Sequence, residues 1–178
     1  MIVIASPPAA PATPASPALR PKALAIVGSS NSGKTELICR LLEWFSAQGL
    51  KVAVLKHSHH RHLGDDGKDT WRYRQAGARL VGLAAPGLLQ ITISQEPPLD
   101  ELLAELAWMV DFILVEGYKT SDLPKIGMAP PDAASKLPDY PGLVAWVSAR
   151  PLPTHLPVFN PLQVAEIGRF IQDQLGGR

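Results

Sequence analysis

The chain has 178 residues, 46% of them hydrophobic and 19% charged, and its 17 basic and 16 acidic side chains leave a net charge of +1. So even a balance leaves no electrostatic footprint for nucleic acid, and the single cysteine, Cys39, allows neither a disulfide framework nor a thiolate metal site. With no run of about 18 apolar residues to span a membrane, the composition reads as a globular protein of a reducing, cytoplasmic compartment.

Residues 1–21 hold Pro7, Pro8, Pro11, Pro14, Pro17 and Pro21 among Ala and Ser. Without a basic n-region or an apolar h-region the segment reads as a disordered, partly polyproline tail and not as a secretory signal. The remainder, 22–178, is about 155 residues, enough for one compact domain, expected to bind a nucleotide, that buries roughly 70% of its unfolded-state surface.

Lys22 to Val27 is a short apolar run ending at Gly28, as a buried central strand would be. From Thr35 the period lengthens: Leu37, Ile38, Leu41, Leu42 and Phe45 share a helical face, Glu36 and Arg40 pair outside it, and Gly49 stops the helix. Cys39 lies in this stretch, where a free cysteine reads as a small hydrophobe. Val52 to Leu55 predicts a second buried strand. Asp69 is placed to cap a helix through Ala76, with Gly77 after it. Its Trp71, Arg72, Tyr73 and Arg74 read as an amphipathic helix half-packed on the sheet, with base stacking as the other reading. Leu80 to Ala85 and Leu89 to Ile93 predict two strands around Pro86-Gly87. A helix over Asp100 to Met109 opens after Pro97-Pro98, Asp111 to Glu116 is again a buried strand, and Leu143 to Val147 another. Pro130 to Pro141 reads as a surface loop, and Pro161 to Leu175 as a terminal helix with its proline in the first turn. Alternation of unbroken apolar strands with helices predicts an α/β domain: a three-layer P-loop NTPase fold with a mostly parallel central sheet.

Gly28-Ser29-Ser30-Asn31-Ser32-Gly33-Lys34-Thr35 carries the chemistry. Four residues between two glycines let a loop wrap a phosphate with successive amides pointing inward, and the following helix adds its positive dipole end. Ser29, Ser30, Asn31, Ser32, Gly33, Lys34 and Thr35 are therefore the candidate nucleotide-binding residues. Lys34 is the charge for the β- and γ-phosphates and the Thr35 hydroxyl a ligand for Mg²⁺. Such a site also needs a strand-end carboxylate, and Glu116 ends the most apolar strand, whereas Asp111 begins it and belongs at the opposite edge. Lys34 and Glu116 are the catalytic candidates. One of Asp65, Asp66 and Asp69 is a further candidate to reach Mg²⁺ through water, Asp65 foremost. His57, His59, His60 and His62 crowd one loop, for which metal binding, phosphate or substrate contact and plain solvation all stay open.

Several blocks in order resemble the MobB family of molybdopterin-guanine dinucleotide biosynthesis adapters. They are the phosphate loop, Val54-Leu55-Lys56-His57-Ser58-His59-His60, Gly67 to Ala78, and Leu114-Val115-Glu116-Gly117-Tyr118-Lys119 followed by Pro124-Lys125-Ile126. The resemblance implies a GTP-binding, Mg²⁺-dependent, weakly hydrolysing homodimer. It implies work beside MobA, the guanylyltransferase that attaches GMP to molybdopterin, with no nucleic-acid or membrane partner. Guanine comes from the resemblance alone, since no Asn-Lys-x-Asp signature occurs. The chain departs from the family pattern at Asn31, where glycine is usual, at the missing proline before Gly67, at Gly127 in place of an acidic residue, and at Ala149 after Ser148, a position that would face the base. A left-handed backbone is open to asparagine, so the loop is expected to close. A histidine-rich nickel metallochaperone GTPase and a small-molecule P-loop kinase are the alternative readings.

Overall fold

A computed structural model describes residues 21–58, 64–130 and 137–176. The expected tail over 1–21 lies, but for its last residue, outside the described residues, as do His59, His60, His62 and part of the Pro130–Pro141 loop.

The described residues form eight strands and four helices. They are β1 (Ala23–Val27), α1 (Lys34–Ser46), β2 (Val52–Lys56), α2 (Asp69–Gln75), β3 (Leu80–Ala85), β4 (Leu88–Ile93), α3 (Leu99–Ala107), β5 (Phe112–Glu116), β6 (Lys125–Met128), β7 (Leu143–Val147), β8 (Val158–Phe159) and α4 (Val164–Gln174). Six strands form one sheet in the order β2-β5-β1-β6-β7-β8, and every pairing in it is parallel. The period of two sorts the side chains of the central strands into two layers. Leu24 and Ile26 of β1 with Phe112 and Leu114 of β5 join Leu37, Ile38, Leu41 and Phe45 of α1 and Ile167 and Ile171 of α4. Ala23, Ala25, Val27, Ile113 and Val115 face the other way, onto Leu103 of α3. The expected three-layer α/β architecture is what the chain adopts.

Several elements differ from expectation, each for a physical reason. β2 is an edge strand and only half-buried, because an apolar run does not say how many neighbours it will have; Val54 is 42% exposed. β6 and β8 are strands that no apolar run announces: β6 opens on Lys125 and contains Gly127, and β8 is two residues long. Gly127 is required there, since a Cβ would stand 2.5 Å from the ring of Trp146 on β7. β3 and β4 do not join the central sheet. They pair antiparallel as a separate hairpin turned by Pro86-Gly87, with Gly87 at φ +75. α2 begins after Lys68, so Asp69 sits in the first turn and favours the dipole there instead of capping it; the helix buries no residue and lies next to β3. Pro161 precedes α4, whose N-cap is Gln163. Cys39 is exposed on the outer face of α1. Among the described residues no helix is long and apolar enough to cross a membrane.

Candidate functional site

The site forms at the carboxyl edge of the sheet, where β1 runs into the glycine-rich loop and α1 leaves it. Gly28 has no room for a side chain: a Cβ would lie 2.7 Å from Ser32 Oγ and 2.9 Å from Met128 Cβ. Asn31 adopts φ +58, the left-handed conformation expected of it, and Gly33 follows at φ +86 as the N-cap of α1. No side chain caps α1, so its first amides keep their donors for a ligand in the loop. Lys34 folds back over the loop, its Nζ donating to the Ser29 carbonyl at 2.7 Å and lying 3.5 Å from Ser32 Oγ.

Strand register delivers the carboxylate. Glu116 stands opposite Ile26 of β1 and opposite Lys56 of β2, and the Gly117 amide donates to the Ile26 carbonyl at 3.1 Å. The residue is 8% exposed. Its Oε2 accepts from Thr35 Oγ1 at 3.2 Å, and its Oε1 lies 3.5 Å from Lys56 Nζ. Burial lowers the pKa of Lys34; the Glu116 carboxylate pulls it back up, while Lys119 and Lys56 add repulsion that lowers it further. A hydroxyl and a carboxylate oxygen meeting beside a phosphate cradle are the hard donors that Mg²⁺ prefers, so the residues present suit that ion.

Around Glu116 the chain is held in an uncommon shape. Gly117 and Tyr118 both take positive φ, +101 and +49. The Tyr118 ring lies 4.5 Å from the His57 ring and its hydroxyl donates to Glu96 Oε1 at 3.2 Å; burial, then Glu96, raises the pKa of the phenol. His57 Nε2 is 3.8 Å from the same Glu96 oxygen, and the His57 amide donates to the Glu116 carbonyl at 3.0 Å. Among the described residues no three His, Cys, Asp or Glu side chains gather as a metal site.

The structure does not bring Asp65 to Thr35 and Glu116. Its carboxylate accepts from Arg74 through both oxygens, at 2.5 and 2.8 Å, and from Thr70 Oγ1 at 2.8 Å. The Arg74 hydrogen bonds hold the Asp65 carboxyl well below the usual carboxylate range. Arg72 is turned outward, 4.0 Å from Asp69. Ser148 follows β7, its Oγ accepting from the Arg150 amide at 3.0 Å, and Ala149 beside it is exposed. Sequence reasoning gave no role to Lys56 and Lys119. For Lys56 the sequence signal is only its place at the end of a strand, since the sheet order is what sets β2 beside the strand carrying Glu116.

Comparison with known proteins identifies a family and its fold. The family model described as MobB, molybdopterin guanine dinucleotide synthesis protein B, matches residues 23–149. The molybdopterin-guanine dinucleotide biosynthesis adapter protein of Haemophilus influenzae is 34% identical over 157 residues, covering 85% of this chain and 88% of that one. A probable adapter protein of the same name from Bacillus subtilis is 39% identical over 107 residues, 57% of this chain and 61% of its own. The crystal structure of Bacillus subtilis MobB superposes with a TM-score of 0.73 at 29% identity, covering 88% of this chain and 99% of that one.

Proposed function

The chain belongs to the MobB family, and we propose that it serves as a GTP-binding, weakly hydrolysing adapter in the biosynthesis of molybdopterin-guanine dinucleotide. The observation that carries the nucleotide reading is the Thr35–Glu116 hydrogen bond at 3.2 Å, formed beside a loop whose shape excludes a side chain at Gly28 and over which Lys34 is folded. The amides of Ser29 to Thr35 and the Lys34 ammonium bind the β- and γ-phosphates. Thr35 Oγ1 and Glu116, directly or through water, hold Mg²⁺, which when bound offsets the charge on the phosphate oxygens. Hydrolysis is slow because Arg74 is committed to Asp65 and Arg72 faces Asp69, so neither supplies the positive charge a fast phosphoryl transfer needs.

The adapter works as a homodimer and presents its bound GTP to a MobA-type guanylyltransferase that handles molybdopterin. The β3–β4 hairpin supports the second copy: Leu80, Leu83, Leu88, Leu89, Ile91 and Ile93 are each about half or more exposed on a two-stranded ribbon. An isolated ribbon of that kind is marginally stable, and exposed apolar edges recruit a second strand pair. Isothermal titration with GTP and ATP in the presence of Mg²⁺ tests the reading. GTP is expected to bind more tightly than ATP, and Lys34→Ala to lose most of that affinity. ATP binding as tight as GTP overturns the guanine assignment, and retained binding by Lys34→Ala overturns the loop's role.

A further inference from the structure

We propose that Lys56 and Lys119 are phosphate-binding residues that grip the terminal phosphate of the bound nucleoside triphosphate. The inference rests on the nucleotide-binding reading above. Its ground is an excess of positive charge with too few anions. Lys56 ends β2 directly opposite Glu116, with 58% of its side chain exposed and its Nζ only 3.5 Å from Glu116 Oε1. That distance exceeds a hydrogen bond. Lys119 follows Glu116 by three residues, across the turn made by Gly117 and Tyr118, and is exposed. Both lie near enough to Lys34 for their charge to be felt there. Against the charges of Lys34, Lys56 and Lys119 stands the carboxylate of Glu116, which also accepts from Thr35. Like charges gathered without enough counter-charge repel one another, and a fold tolerates them where an anion is to arrive.

The backbone around them is made for placement. Positive φ at a tyrosine costs on the order of 1 kcal/mol and persists only where its surroundings over-determine it. Here the Tyr118 ring rests on His57, its hydroxyl is tied to Glu96, and its carbonyl accepts from both the amide and the hydroxyl of Ser121. The turn so fixed leads directly into Lys119, whose charge acts on Lys34. Charge supplies a further argument. Lys34 and a divalent cation, less Glu116, leave a triphosphate of charge about −4 roughly half neutralised, and two more ammonium groups bring the site near balance. Glu116 would hold a divalent cation with Thr35, and Lys56 beside it would then be left for the phosphate.

The test is isothermal titration, with Mg²⁺, of GDP and of a non-hydrolysable GTP analogue against wild type, Lys56→Ala, Lys119→Ala and the double variant. Each single variant is expected to weaken the triphosphate about tenfold and the diphosphate less than about threefold, as loss of a charge-assisted hydrogen bond to one phosphate would. Lys119→Ala removes an exposed side chain and touches neither Glu116 nor the core, so it separates phosphate contact from support of the carboxylate. A ratio of triphosphate to diphosphate affinity unchanged in Lys119→Ala and in the double variant overturns the proposal while leaving the loop's role intact. A wild-type protein that binds neither nucleotide overturns the underlying reading instead.

Discussion

Lys125 is a charged side chain with no exposed surface, and its replacement by methionine gives the sharpest test of how the fold supports the site. Its Nζ donates to the carbonyls of Ser121, Leu123 (3.0 Å) and Pro141 (2.7 Å), tying the segment after β5 and the segment before β7 to the start of β6. Lys125→Met matches the volume but leaves three main-chain carbonyls without that donor, each a loss of about 1–3 kcal/mol if nothing replaces it. Burial works the other way, lowering the lysine pKa, so part of the hydrogen-bond gain is already cancelled by desolvation in the wild type. The balance predicts a net destabilisation of about 1–3 kcal/mol, or about 2–10 °C in Tm for a domain this size. A lysine whose folded pKa lies below 10.5 binds fewer protons when folded than when unfolded over the window between those values. Wild-type stability therefore rises with pH through that window, and Lys125→Met lacks the rise. Thermal melts followed by circular dichroism at neutral pH and at alkaline pH measure both effects. A variant that melts at or above the wild-type temperature at neutral pH refutes the reasoning, because burial of the charge would then outweigh its three hydrogen bonds.

Gly28→Ala forces a methyl group against Ser32 Oγ and Met128 Cβ, and overpacking of that kind costs about 1–3 kcal/mol; titration should show GTP affinity reduced at least about tenfold, and affinity within twofold of wild type would contradict the clash. Asp65→Asn removes the charge that Arg74 grips. The folded Asp65 pKa is depressed, so its contribution is complete above the ordinary value of 3.8 and disappears as the pH falls through the much lower folded value. The stability gap between wild type and Asp65→Asn, read by urea denaturation, should therefore shrink on acidification, and a constant gap down to about pH 2 counts against the pair. Leu89→Asp in the hairpin should convert a dimer to monomers in sedimentation velocity; a wild type already monomeric at tens of micromolar sinks the dimer reading.

What could be read from the sequence was whatever local spacing controls. The Gly28–Thr35 loop, the left-handed Asn31 and the placement of Glu116 at a strand end are set within a few residues, and the unbroken apolar runs of β1 and β5 announce a parallel sheet buried on both faces. Long-range partners were out of reach. Nothing local marks Lys125 as buried, because its three carbonyl acceptors come from two other segments. Asp65 reads as a metal candidate until Arg74, nine residues on, closes on it. Val52 to Leu55 looks as buried as β1, because only the sheet order reveals which strand lies at the edge.

The register of β1 also sets the order of assembly. Ala23 pairs with Ile113 and Ala25 with Lys125, so β1 leaves the ribosome about 90 residues ahead of its nearest partner in the sheet. Non-local pairing of this kind slows folding, whereas a hairpin such as β3–β4 closes within about 1–10 μs. The nascent chain thus displays a formed, oily ribbon while its central strand still waits. Whatever covers that ribbon early, a chaperone or a sister chain, shields the protein from aggregation before a phosphate cradle exists to be filled.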